Sequence, residues 1–161
     1  MKTLLVCLLG LFLFAPPGGI PAVAQASGAL ASFPTGTVTI RSGGKSHEFA
    51  VEIATTGRQQ QQGLMFRRSL APDAGMLFVY RRAADSAMWM RNTLIPLDMI
   101  FIRADGTIGK IAERTVPMSE TVISSGGPVI AVLELNAGTA SRLGLKPGDK
   151  VQSSALPGGS R

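Results

Sequence analysis

Met88-Trp89-Met90-Arg91-Asn92-Thr93-Leu94-Ile95-Pro96-Leu97-Asp98-Met99-Ile100-Phe101 holds the chain's only Trp and three of its seven Met, with a polar Asn-Thr pair inside an apolar run. At a period of two, residues 87–92 read as a strand. Met88, Met90 and Asn92 fall on one face, and Trp89, Arg91 and Thr93 on the other. Pro96 has no amide proton and biases Ile95 toward extended geometry, which predicts a bend over 94–97. A second strand follows over 99–103. The bend would turn Asn92 and Asp98 toward one point.

Outward from this stretch the pattern stays β-rich. Residues 38–41 and 48–54 read as a hairpin around Ser42-Gly43-Gly44-Lys45-Ser46, with Phe49, Val51 and Ile53 alternating with Glu48, Ala50 and Glu52. Thr55-Thr56 offers a cap for a short helix over 57–66, whose Leu64, Met65 and Phe66 end faces the core. The almost continuous apolar run 76–80 predicts a strand covered on both sides, followed by a polar connection over 81–85. Asp105-Gly106 marks a tight turn between 99–103 and its partner 108–113. A long polar connection spans 115–127, a length that often carries function. A buried strand is expected over 128–135, then Asn136 as the cap of a helix over 137–143 that ends at Gly144, and a last short strand near Val151. The sum is a predominantly antiparallel α+β domain, a partly closed barrel-like sheet with two short helices.

The ends of the chain carry different signals. Lys2, the apolar run from Leu4 to Ala15, the Pro16-Pro17-Gly18-Gly19 breakers and Ala22-Val23-Ala24-Gln25-Ala26 together predict a secretory signal peptide over 1–26. Cleavage is placed after Ala26, with Ala24 as the alternative site. The apolar run is shorter than the roughly 18 residues of a membrane span. Cys7, the single cysteine, would leave with the leader, so packing rather than disulfides must stabilise a periplasmic or secreted product. Residues 27–36 read as a linker, 37–153 as one domain and 154–161 as a disordered tail. Losing Lys2 from 16 basic residues against 10 acidic ones leaves a net charge of +5. The basic residues are scattered, and no clustered stripe for nucleic acid emerges. A monomer without stable membrane insertion is expected.

Several chemistries are absent at the required spacing: the nucleophile elbow, the phosphate-cradling loop and the dinucleotide glycine pattern. His47 has no Cys or second His near it, so no zinc site is expected. Met88-x-Met90 invites a Cu(I) reading, but methionine is also an ordinary filler of irregular cores, and no metal or cofactor is expected.

Taken in order, Gly63-Leu64-Met65-Phe66-Arg67, Gly75-Met76-Leu77-Phe78, Met88-Trp89-Met90-Arg91-Asn92-Thr93-x-Ile95-Pro96-Leu97-Asp98-Met99-x-Phe101, Val132-Leu133-Glu134-Leu135-x-Ala137-Gly138 and Gly148-Asp149 resemble domain-of-unknown-function family 192. The resemblance covers about 38–151. It implies a single, mostly β domain, often exported, and brings no established activity or catalytic residue. Arg91 departs from the Lys expected in many relatives, which keeps the charge but changes the donor geometry.

The residues themselves nominate a site. Met65 and Arg67 at the helix end, Trp89, Asn92, Thr93 and Asp98 around the bend, and Glu134 at a strand end combine an aromatic surface, a cation, amide and hydroxyl groups, and carboxylates. Such a mixture suits a pocket for a polar small molecule, a peptide or a glycan. The competing reading has Asn92 and Asp98 satisfying backbone groups, with Arg67 paired to Asp98 or Glu134. The leading expectation is a noncatalytic binding or accessory domain of the cell envelope. A hydrolase or lyase using Asp98 and Glu134 as acid and base is the alternative, and a structural interaction protein is a third.

Overall fold

Alternation along the strands, interrupted by paired glycines and prolines, produces one sheet of seven strands in the computed structural model, which describes residues 30–157. The expected leader and residues 158–161 lie outside them. In chain order the elements are β1 (Thr35–Ser42), β2 (Lys45–Ala54), α1 (Gly57–Gln62), β3 (Ala74–Met88), β4 (Leu97–Ile102), β5 (Ile108–Ala112), β6 (Ile123–Asn136), α2 (Thr139–Leu143) and β7 (Lys150–Gln152). The strands lie in the order β5-β4-β6-β3-β2-β1-β7. Every pair is antiparallel except β2 with β3, which run parallel with α1 in the crossover. The two-residue turn between β1 and β2 needs positive φ at both central positions, and Gly43 and Gly44 supply it at 54° and 76°.

The sheet curls into a half-barrel. β7 pairs with β1 on one side, and on the other Thr107 bridges Lys150 at the start of β5. Ile108 N donates to Asp149 O at 2.9 Å, and Val151 N donates to Gly106 O at 2.8 Å. Side chains from all seven strands and α2 meet inside the curl: Val38, Ile40, Phe49, Val51, Leu77, Ile100, Ile108, Leu133, Leu135, Ala140 and Val151 are buried there. Successive residues point to opposite faces. A second core therefore forms on the outer face, where Met76, Phe78, Leu97, Met99, Phe101 and Val132 pack under Leu64 and Met90.

The expected strand over 87–92 is not formed. β3 instead runs unbroken through residues 81–85 to Met88, and residues 89–96 make turns, with Met90 N donating to Ser119 O and Thr93 N to Met90 O. Two irregularities let β3 stay paired with β6 through this polar region, between Val79 and Ala84 and between Asp85 and Ala87. Residues 81–85 are exposed, so no buried face imprinted a period of two on them. For the same reason the connection expected over 115–127 ends early, because β6 already begins at Ile123. Residues 30–34 are docked rather than a free linker: Ala31 N donates to Gln62 Oε1, and Gln59 Nε2 donates to Ser32 O. Leu156, assigned to a disordered tail, is buried in the inner core.

Asp98 organises the end of the curl. It is fully buried on the inner face, where its Oδ1 accepts from Arg114 N at 2.8 Å and Gly138 N at 3.0 Å, and its Oδ2 accepts from Ala140 N at 2.8 Å. Asn136 was expected to cap α2, yet the cap residue is Gly138, and the Asn136 amide donates to Leu70 O and Ala71 O. Removing the carboxylate strands three backbone amides, one buried and two partly buried. Asp98→Ala is expected to cost about 3 kcal/mol of stability, to be read by denaturant unfolding.

Candidate ligand-binding site

The outer core is open at one end, beneath α1. Thr56 and Gln59 form a capping box, Oγ1 of Thr56 accepting from Gln59 N at 3.3 Å and Oε1 of Gln59 accepting from Thr56 N at 3.0 Å, so a helix of six residues starts at a defined point. Gln60 Nε2 then donates to Val79 O at 2.9 Å and pins the helix across the sheet. The chain leaves α1 through Gly63 (φ 49°), where a Cβ would stand 3.0 Å from Phe78 Cζ. Phe66 N donates to Asn92 O at 2.9 Å, which ties this turn to the 89–93 turn. Phe66 and Asn92 both have positive φ, a costly arrangement for a bulky residue such as Phe66.

Between α1, the 89–93 turn and the exposed half of β3 lies a cavity of about 720 Å³. Gln60, Leu64 and Met65 line one side, and Phe78, Tyr80 and Met88 another, with Trp89 and Thr93 beside them. Glu134 also lines it, projecting from β6 on the outer face between its ladder neighbours Met76 and Met99. The residue is 4 % exposed, and among the described residues no hydrogen bond reaches its carboxyl group. Burial pushes its pKa up from 4.5 to about 8. Tyr80 is likewise pushed up, first by burial and then by the nearby Glu134 charge, against the lowering effect of its bond to Ser86. Its Oη lies 2.9 Å from Ser86 Oγ and donates to Met88 Sδ at 3.7 Å.

Four of the seven residues nominated from sequence meet here: Met65, Trp89, Thr93 and Glu134. Asn92 stands next to them, its Nδ2 donating to Met65 Sδ at 3.9 Å. Arg67 turns away and forms a two-pronged ion pair with Glu52, with Phe33 6.0 Å from its guanidinium. Arg67 therefore joins neither the ligand site expected of it nor Asp98 or Glu134, the partners of the competing reading. Asp98 lies on the inner face while Glu134 occupies the outer one, since Asp98 is opposite Leu135 and Met99 opposite Glu134. The two carboxyl groups are separated by the sheet, and no acid and base pair forms between them. Met90 is buried, with Thr115 Oγ1 donating to its sulfur at 3.1 Å, so Met88 and Met90 do not present a shared soft face.

Tyr80, Met88 and Gln60 were not nominated from sequence. A signal for Tyr80 was present: the chain's single Tyr follows Met76 and Phe78 at a period of two, which sets it on the same face. Glu134 gives a direct solution test. Between pH 4.5 and 8 the native state retains a proton that the unfolded chain has lost, so stability declines as pH rises through this window. The expected slope is at most about 1.4 kcal/mol per pH unit. Glu134→Gln should flatten the profile, as measured by urea unfolding at a series of pH values.

No curated protein matches the chain. Two solved structures are similar over almost their whole length. A Sinorhizobium meliloti 1021 protein described as a candidate transcription regulator is 48% identical, with a TM-score of 0.76, covering 78% of this chain and 98% of its own. A protein of unknown function from Novosphingobium aromaticivorans DSM 12444 is 41% identical, with a TM-score of 0.74, covering 84% of this chain and 99% of its own. The family model of DUF192, an uncharacterized ACR family, matches residues 38–153, and with these relatives it places the chain in the DUF192 family.

Proposed function

We propose that the domain binds a small organic molecule in the cavity beneath α1 and catalyses no reaction itself, serving as an accessory module of the cell envelope. The observation that carries this reading is Glu134, a buried carboxyl group with no protein partner that opens onto a cavity. Buried polar groups in proteins almost always have partners, and one that lacks them is the group a ligand would satisfy. The volume suits a small molecule better than a long peptide or glycan. The only Trp and the only Tyr both line the same space, where their rings offer large apolar contact area. The envelope location rests on the leader-like N-terminus, whose removal would deliver the domain outside the cytoplasm.

A hydrolytic role would need a second acid or base beside Glu134, and Asp98 is held elsewhere by three backbone amides. The description of the Sinorhizobium relative gains no support from this chain. Its two helices, of six and five residues among those described, are too short to serve as a groove-reading helix.

The test is a screen of envelope metabolites, read by melting temperature and by Trp89 fluorescence, the single Trp being the only such reporter. A true ligand should raise the melting temperature and change the emission. Ala84→Trp, at the exposed mouth, should weaken its binding by about tenfold or more without lowering the melting temperature of the free protein. Arg67→Ala should leave binding unchanged, because its guanidinium is engaged with Glu52 outside the cavity. If no compound binds, or if hits bind the Ala84→Trp protein equally well, the reading fails.

A further inference from the structure

The polar groups inside the cavity are not equally available to a ligand. Gln60 has its amide nitrogen on Val79 O and Ala54 O, and the Thr93 hydroxyl donates to Arg91 O. The Tyr80 hydroxyl is taken up by Ser86 and Met88. Glu134 alone among the buried and half-buried polar side chains of the lining lacks a partner, so a ligand's polar group gains most by meeting it. The apolar walls are aromatic or thioether, from Phe78, Tyr80, Trp89, Met65 and Met88, and exposed polar residues such as Gln61, Arg81, Arg82 and Asp85 complete the lining. Aromatic faces carry negative charge density and attract cations. The Trp89 ring already does so on the chain's own account, with the Arg91 guanidinium 5.1 Å from its centroid.

We propose that the ligand is an organic cation, an ammonium or amidinium group on an apolar body, with the charged group against the Glu134 carboxylate and the body among Phe78, Tyr80 and Trp89. This inference rests on the cavity being the binding site. An anionic group would be repelled once Glu134 ionises. Binding carries a proton balance: the neutral carboxylic acid and the cation give a carboxylate–cation pair and one proton released to the buffer. The charged or titratable groups that share the cavity are Tyr80, Arg81, Arg82 and Asp85, all from β3. The last three are exposed at the mouth, where water and salt screen them. The residues that α1 and the 89–93 turn contribute to the lining carry no titratable side chain, and Met76 and Met99 flank Glu134 on the sheet. Affinity for the cation should therefore rise with pH as the carboxyl ionises, up to the point where the ligand amine loses its own proton.

Three probes of one shape and different charge test the inference on the leaderless protein: benzylamine, benzyl alcohol and benzoate, followed by Trp89 fluorescence, melting temperature and calorimetry in two buffers of different ionisation enthalpy. Benzylamine should bind about tenfold or more tighter than benzyl alcohol at pH 7, and benzoate more weakly than either. Its binding should release nearly one proton. Glu134→Gln, almost isosteric, should bring the ratio of benzylamine to benzyl alcohol affinity to about one and abolish the proton release. Should that variant fail to fold, the wild-type ranking and proton release decide alone. Equal or reversed ranking in the wild type, a ratio that survives in Glu134→Gln, or the absence of proton release overturns the cation assignment. In that case binding of benzyl alcohol or benzoate, lost in Ala84→Trp, would leave the small-molecule reading standing. No response to any of the three overturns the cation assignment, while neutral or anionic hits from the metabolite screen would still sustain the cavity as a site.

Discussion

β6 has to serve two cores at once, and the rest of the domain follows from how it does so. It is paired with β3 on one side and β4 on the other, so its backbone is satisfied by neighbours along most of its length. Leu133 and Leu135 therefore face the interior of the curl, while Val132 and Glu134 face α1. The inner face closes through β7 and the Thr107 to Lys150 bridge, and apolar side chains fill the interior of the curl. The outer face is covered only by a helix of six residues and a set of turns, and a cavity remains there. Burying an acid on that face costs stability that an apolar side chain would not. The cost is consistent with a site where polarity is needed for something other than folding.

The coverings of the outer face depend on unusual backbone. Phe66, Asn92, Arg114 and Met118 are the non-glycine residues with positive φ among those described, and all four lie in connections outside the helices and strands. Phe66 N bonds to Asn92 O and Met118 N to Thr93 O, so three separate segments are cross-linked through main-chain groups rather than by packing alone. Phe66, Trp89, Leu94 and Met118 remain exposed as a result. The Asn92-Thr93 pair, conspicuous in the sequence as polar residues in an apolar run, sits at the junction of these segments.

Much of the fold was legible because burial writes a period into sequence. The β1 and β2 hairpin, the apolar start of β3, β4 with its Asp-Gly turn, and the capped start of α1 all carry patterns that one buried face or one cap imposes. The exposed half of β3 and the start of β6 carry none, since their pairing rests on backbone groups whatever the side chains. Residues 87–92 misled in the opposite direction: Met88 and Met90 alternate, but Met90 is buried from a turn. For the site, composition identified Met65, Trp89, Thr93 and Glu134 as chemically able. Only the strand register could tell that Asp98, one position away from alignment with Glu134, belongs to the other side of the sheet.

The seam between β1 and β7 has a kinetic meaning. Ile40 pairs with Val151, partners more than a hundred residues apart in the chain, whereas β1 with β2 and β4 with β5 are short hairpins. Loop closure over such a distance carries a large entropic cost, so local hairpins form first and the seam zips last. Until it does, β1 and β5 remain open edges able to pair with another chain. The three-residue β7 thus acts as a clasp that ends the interval in which this domain can aggregate.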